Sequence, residues 1–298
     1  MLVSERRASV VLFKLLRSRA DPRPYLLPAN VCPVVPAAFA LAQQPFVIVD
    51  IAEPWLEIDP DASMSRVRDR PNEYGGLVFV RPYGSERDPT SFFNGLKDEQ
   101  PDLFIIDDKC LCRPDCDGER LSPRSDATLF STGRAKYADI GGGGFAHLAP
   151  SVLYADVEPA SVDWLDLTPE ETAWTERRRH TIEAIRAADE QKTVLNEIYR
   201  RVLPREIQFP DELQRWRFNI RVPRPELLID SIFAAGLFAS RHYPPVVAGE
   251  FPIASRVHET IVNLFSDRHF DPDRARRISE LVLRHLEQSD RLRTPLER

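Results

Sequence analysis

Cysteine is scarce in this chain of 298 residues: there are four, and three of them crowd into the stretch FIIDDKCLCRPDC, residues 104–116. The spacing C-x-C-x3-C lacks the second, separate ligand pair of a structural zinc site. Only Cys32 remains as a fourth sulfur, and none of the six histidines lies close enough in sequence to help. No metal site is therefore expected. The opening MLVSERRASVV carries charge and no long apolar core, so no signal peptide is read there, and reduced cysteines in a cytoplasmic protein are the expectation. Apolar runs of about 18 residues are also missing, which argues against a membrane-spanning helix. Positive charge is not in excess: the net charge is −6 with the signs interspersed. Nucleic acid is thus disfavoured as a partner, and ERRRHTIEAIR reads as one helix face. Glycine is sparse as well, 12 residues against 26 prolines, so many connections should be stiff; no fixed-period repeat is visible.

What is present describes a globular chain long enough for one large domain and a smaller one. Residues 8–18, ASVVLFKLLRS, read as a helix after a polar turn. RPYLLPANVCPVVPAAFALAQQ gives a short strand, a proline-rich turn and a second helix. PFVIVDI (45–51), GGLVFVRPYG (75–84) and DLFIIDD (102–108) are nearly continuous apolar runs, the pattern of strands covered on both faces. Such strands, separated by helical or irregular segments, imply an α/β domain with a mostly parallel sheet. Ligands on these sheets bind outside the carboxyl ends of strands, where Asp107 and Asp108 fall. After Ala149 the character changes. Residues 168–203 read as a long amphipathic helix with a capping box, Thr168 and Glu171. RWRFNIRV reads as a strand, 224–237 as a helix stopped by Gly236, and 271–288 as a closing helix capped by Asp271. The expected organisation is a large α/β domain over 1–167, a connecting helix over 168–210 and a small α+β domain over 211–298.

The chemistry concentrates in TLFSTGRAKYADIGGGGFA, residues 128–146, where four glycines run consecutively shortly after a serine and a lysine. A glycine run lets backbone approach a ligand or another chain closely, and a lysine in a partly dry pocket can lose its proton and act as a nucleophile. The plainer readings are a glycine-rich hairpin turn and a solvated lysine.

The order of these segments resembles fold-type-I pyridoxal-phosphate enzymes, specifically the sugar-aminotransferase family typified by DegT, DnrJ, EryC1 and StrS. LLPANVCPVVPAAFALAQQPFVIVDI looks like the family's Val-Pro, turn, alanine-rich helix and Pro-x-Phe-x-Asp; VFVRPYG resembles its Pro-Val-His-x-Tyr-Gly strand, and FAAGLFASRHYPPV its Gly-Ile-x5-Tyr-Pro segment. IIDDKC falls on Ile-Glu-Asp-Ala-Ala, which gives Asp108 the role of salt-bridging the pyridine nitrogen. FSTGRAK falls on Ser-Phe-x3-Lys, which gives Lys136 the Schiff-base position and Ser131 a phosphate contact. The phosphate would sit at the amino end of the helix near Arg7 and Ala8. The resemblance implies a three-layer, mostly parallel sheet with a smaller C-terminal α+β domain, pyridoxal 5'-phosphate as cofactor, and a homodimer.

It also implies transfer of an amino group from an amino acid, glutamate or glutamine, to a keto sugar or related ketone, through Lys136. Cys32 stands where the family has an aromatic residue or histidine stacking on the cofactor, Leu111 where a glutamine is common, and SERRAS where the phosphate turn has small residues. The family's Gly-Tyr-Asn-x-Arg segment has no counterpart in HLAPSVLYADVEPASVDWLD. A diverged partner subunit and a zinc protein using Cys32, Cys110, Cys112 and Cys116 are the alternatives. Acceptor recognition would rest on loops such as 82–95 and 147–163, which read as irregular.

Overall fold

Alternation along the apolar runs sorts their side chains onto the two faces of one sheet. The computed structural model describes residues 1–116, 121–155, 172–247 and 249–293. The chain starts with β1 (Leu2–Glu5), α1 (Ala8–Arg19), β2 (Tyr25–Pro28), α2 (Val34–Leu41) and β3 (Phe46–Val49). A small ribbon, β4 (Ile51–Ala52) with β5 (Glu57–Ile58), leads to α3 (Pro60–Asp69), β6 (Gly76–Val80), α4 (Thr90–Glu99), β7 (Phe104–Asp108), β8 (Ala127–Ser131) and β9 (Gly144–Leu148). Seven of these strands form one sheet in the order β1-β9-β8-β7-β6-β2-β3, parallel except where β9 runs against β8 and β1.

Tyr25, Leu27, Val78, Ile106 and Leu129 pack under α1 and α2 on one face. Leu26, Leu77, Phe79 and Ile105 pack under α3 and α4 on the other. Burial on both faces explains why the strands read as unbroken apolar runs, and the result is the three-layer α/β architecture expected.

The second half begins with α5 (Trp174–Val202), then β10 (Phe218–Arg221), α6 (Pro225–Ala234), β11 (Ala239–Ser240), α7 (Pro252–Thr260), β12 (Ile261–Leu264) and α8 (Pro272–Arg293). The sheet β10-β12-β11 is antiparallel and shares a core with Leu195 and Tyr199 of α5, Leu228 of α6 and Ile278 of α8. Gly236 adopts a positive φ of 72° just past α6, and Asp271 Oδ1 accepts from Arg274 N at 2.8 Å at the start of α8. The Thr168–Glu171 capping box lies outside the described residues.

Two local expectations need correction. The segment before α1 is the strand β1 and not merely a polar turn, because Leu2–Glu5 pairs with β9. The segment 82–95 is not irregular throughout: a short 3-10 turn at Pro82–Gly84 is followed by the start of α4.

Candidate active site

The carboxyl ends of β2, β7 and β8 converge on the amino end of α1, the place where open α/β sheets bind ligands. A cavity of about 500 Å³ opens there. Arg7, Ala8, Cys32, Asp108, Ser131 and Lys136, the residues singled out in the sequence, all line it. They come from four separate segments, which only the sheet brings together.

Asp108 follows Ile106 on the α1 face of β7. Its carboxylate is buried and accepts from Cys110 N at 2.9 Å. Burial raises its pKa, opposed by hydrogen bonding from Cys110 and by the charge of Lys136. Burial, reinforced by the Asp108 carboxylate, pushes the Cys110 thiol well above its usual range, so this sulfur is a protonated wall of the cavity. All four cysteines are free, and no three His, Cys, Asp or Glu side chains could hold a metal ion among the described residues.

The opposite end of the cavity is built from backbone. Arg7 caps α1 in an extended conformation without a side-chain acceptor, and no acidic residue stands in the first turn. The positive end of the helix dipole therefore faces the cavity through Ala8 and Ser9. The glycine run lies against it: Gly143 N donates to Arg6 O at 2.7 Å. A Cβ on Gly144 would sit 2.1 Å from Ala8 N, so only glycine permits this approach. The same run closes the hairpin between β8 and β9, so the plainer reading of the glycines holds alongside close approach. The buried Ser131 accepts from Gly133 N at 3.4 Å, which leaves its O–H free to donate toward the cavity.

Lys136 follows Ala135, which is held at φ 59°. Such a conformation costs an L-residue on the order of 1–3 kcal/mol and persists only where surroundings impose it. Here Asp139 Oδ2 accepts from Ala135 N at 3.1 Å and Ala135 O accepts from Trp216 Nε1 at 2.8 Å. Trp216 thus ties the lysine loop to the smaller sheet.

A second cavity of about 280 Å³ adjoins the first and shares Cys32, Asp108, Cys110, Arg134 and Lys136 with it. Its remaining lining includes Arg217, Arg241 and His242, which the sequence reading did not single out. His242 Nε2 lies 2.7 Å from Asn30 O, and burial lowers the imidazole pKa to about 4. The only local signal for this wall was RHYPPV; the burial of Arg217 has none.

The donor set has the chemistry pyridoxal phosphate requires: a lysine amine, a buried carboxylate without a cationic partner, and a hydroxyl beside a helix amino end. Leu12, Val35 and Leu129 supply apolar wall.

No protein-family sequence profile matches the chain, and no curated protein matches it. Solved structures do. A DegT DnrJ EryC1 StrS aminotransferase from Brucella abortus is similar at 13% identity and TM-score 0.71, over 96% of this chain and 86% of that one. DesV from S. venezuelae, solved in complex with a ketimine intermediate, is similar at 18% identity and TM-score 0.72, over 94% and 83%. Helicobacter pylori PseC, an aminotransferase involved in the biosynthesis of pseudoaminic acid, is similar at 14% identity and TM-score 0.76, over 96% and 87%. The chain has the fold of these aminotransferases.

Proposed function

We propose that the chain is a pyridoxal-phosphate-dependent aminotransferase, a diverged member of the DegT/DnrJ/EryC1/StrS family, which moves an amino group from an amino acid, glutamate or glutamine, to a keto sugar or related ketone. The observation that carries the reading is the meeting of Lys136 and Asp108 in one cavity with the uncapped amino end of α1, on the fold of such enzymes.

In this reading Lys136 would hold the cofactor covalently through its amine, with loss of water from the aldehyde, Asp108 would pair with its ring nitrogen, and Ser131 with the first turn of α1 would hold its phosphate. Bound there, the cofactor supplies an electron sink that makes a neighbouring C–H bond acidic. The residues do the rest. Asp108, short of partners in a buried position, stabilises a proton held on a ring nitrogen opposite it. Lys136, on a loop fixed by Trp216 and Asp139, gives up and takes back a proton at the reacting carbon. Arg7 and Arg134 add positive charge at the rim of the cavity. Cys32 stands where the family has a stacking group and Cys110 where it has a small residue, and both sulfurs extend the wall of the cavity without adding charge. Homodimerisation and a cytoplasmic location belong to the same proposal.

The test is a half-reaction. Protein loaded with pyridoxal phosphate and mixed with glutamate should convert the cofactor to its amine form and release 2-oxoglutarate; retention of the aldehyde form with glutamate and glutamine alike contradicts the proposed chemistry.

A further inference from the structure

Lys192 is a buried lysine at a position where α5 calls for an apolar side chain. The buried face of the helix runs through Ile185, Lys192, Leu195 and Tyr199, at the spacing of one helical stripe, and Lys192 is only 5% exposed. Burial lowers its pKa to about 8, opposed by the charge of Asp267. Taking an ammonium out of water is costly, and a leucine or methionine would fill the stripe without that cost. A residue that breaks the local rule in this way points to a task set elsewhere in the fold.

The task is visible in what Lys192 touches. Its Nζ donates to Trp216 O, Trp216 N donates to Tyr83 O at 2.9 Å, and the indole Nε1 donates to Ala135 O at 2.8 Å. Ala135 is the residue before Lys136. Tyr137 is the residue after it: its hydroxyl donates to Asp189 Oδ1 at 2.7 Å, and its ring centroid lies 5.1 Å from Lys192 Nζ. The Asp189 carboxylate is steadied in turn by Arg113 Nε, which donates to Oδ2 at 3.1 Å. Asp189 and Lys192 stand three residues apart, on one edge of a single helical turn. Both neighbours of Lys136 are thus fastened to that turn. None of Tyr137, Asp189 and Lys192 lines either cavity that Lys136 lines, so they act on the lysine only through the residues beside it. The fastening matters because Ala135 is held at φ 59°: a hydrogen bond from a charged donor is comparable in worth to the strain of such a conformation, and so can decide whether the loop keeps it.

We infer that Lys192 and Asp189 are positioning residues for Lys136, with one turn of α5 holding the lysine loop through Trp216 on one side and Tyr137 on the other. This deepens the reading of Lys136 as the residue that holds the cofactor, and rests on it. Leu195 and Tyr199 of the same helix belong to the core of the smaller sheet, so the helix that sets the lysine is itself set by that core.

The experiment compares wild type with Lys192→Met and with Tyr137→Phe, which removes the bond to Asp189 from the loop side and leaves α5 intact. In cofactor-free protein, hydrogen–deuterium exchange over residues 133–140 should rise roughly ten-fold in both variants, with β7 unaltered. In protein loaded with pyridoxal phosphate, the half-reaction at saturating glutamate, per loaded protein, should slow about ten- to hundred-fold, the effect of misplacing a reacting group. The half-saturating glutamate concentration should stay within about two-fold of wild type. Tyr137→Phe carries the test alone if thermal melting shows Lys192→Met unfolded. Unchanged exchange in the loop, a full rate at saturation, or a loss confined to the half-saturating concentration overturns the assignment. Exchange that rises equally in β7 also overturns it, since a purely structural role would produce that. Wild-type protein that never takes up the cofactor, while its loop exchanges more slowly than in the variants, supports the fastening and sinks the reading of Lys136 instead.

Discussion

Asp107 and Asp108 are neighbours on one strand and stand in opposite environments. Asp107 points to the α3/α4 face, where Arg81 clamps it through two hydrogen bonds of 2.7 and 2.8 Å. Asp108 points to the α1 face and into the cavity, with backbone Cys110 N as its donor. The strand's two-residue period assigns one carboxylate to the scaffold and offers the other to a ligand.

Substitution should separate these two roles. Asp107→Asn leaves Arg81 buried without its counter-charge and should cost about 3–5 kcal/mol in denaturant titration. Asp108→Asn should change stability at neutral pH by far less and not in the same direction, while lowering the glutamate half-reaction by orders of magnitude. Comparable stability losses in the two variants contradict the division.

The pH dependence of the cofactor-free protein carries a related signature. Because burial raises the Asp108 pKa, the native state holds its proton to higher pH than the unfolded chain, so this group's contribution to stability falls as pH rises past the ordinary aspartate value of about 3.9. Asp108→Asn removes that decline. The variant should gain on wild type as pH increases from about 4 toward neutrality, measured by urea unfolding across the range.

His242 acts in the other sense. Its pKa is lowered to about 4 from an ordinary 6.5, so the unfolded chain binds a proton that the native chain refuses between those values. Stability present above pH 6.5 is lost progressively down to about pH 4, on the order of 3 kcal/mol in all. His242→Asn should flatten that acid limb.

The glycine run predicts a graded series. Gly144→Ala drives a Cβ into the backbone of Arg7 and Ala8 and should displace the amino end of α1, with a loss of about 1–3 kcal/mol or more and a marked loss of phosphate affinity. Gly141→Ala meets open space but keeps a φ of 89°, so about 1–2 kcal/mol is expected, from backbone strain alone. Equal effects at both positions would show that close approach is not what the run provides.

How legible the molecule was depended on how local each cause is. The strands β3, β6 and β7 could be read because burial on both faces leaves unbroken apolar runs such as FVIV and FIIDD. The strand β1 could not, since LVSE is short and exists through pairing with β9, about 145 residues away in sequence. The helix α3 was missed because PDASMSRVRD buries only Ser63 and Val67 and depends on the Asp59 cap. At the candidate site, the Asp108, Ser131 and Lys136 positions were suggested by short motifs on contiguous segments. Arg217 could not be found that way: in RWRFNIRV it looks like a solvent-facing arginine, and only packing by Trp216 and Phe265 buries it.

The central claim is that Lys136 holds the cofactor, and one measurement addresses it most directly. Purified protein is loaded with pyridoxal phosphate, reduced with borohydride, digested, and analysed by peptide mass spectrometry in parallel with Lys136→Ala. The account predicts a phosphopyridoxyl group fixed on the peptide containing Lys136 in wild type and absent from the variant. An adduct confined to another lysine, or no adduct in wild type, contradicts it.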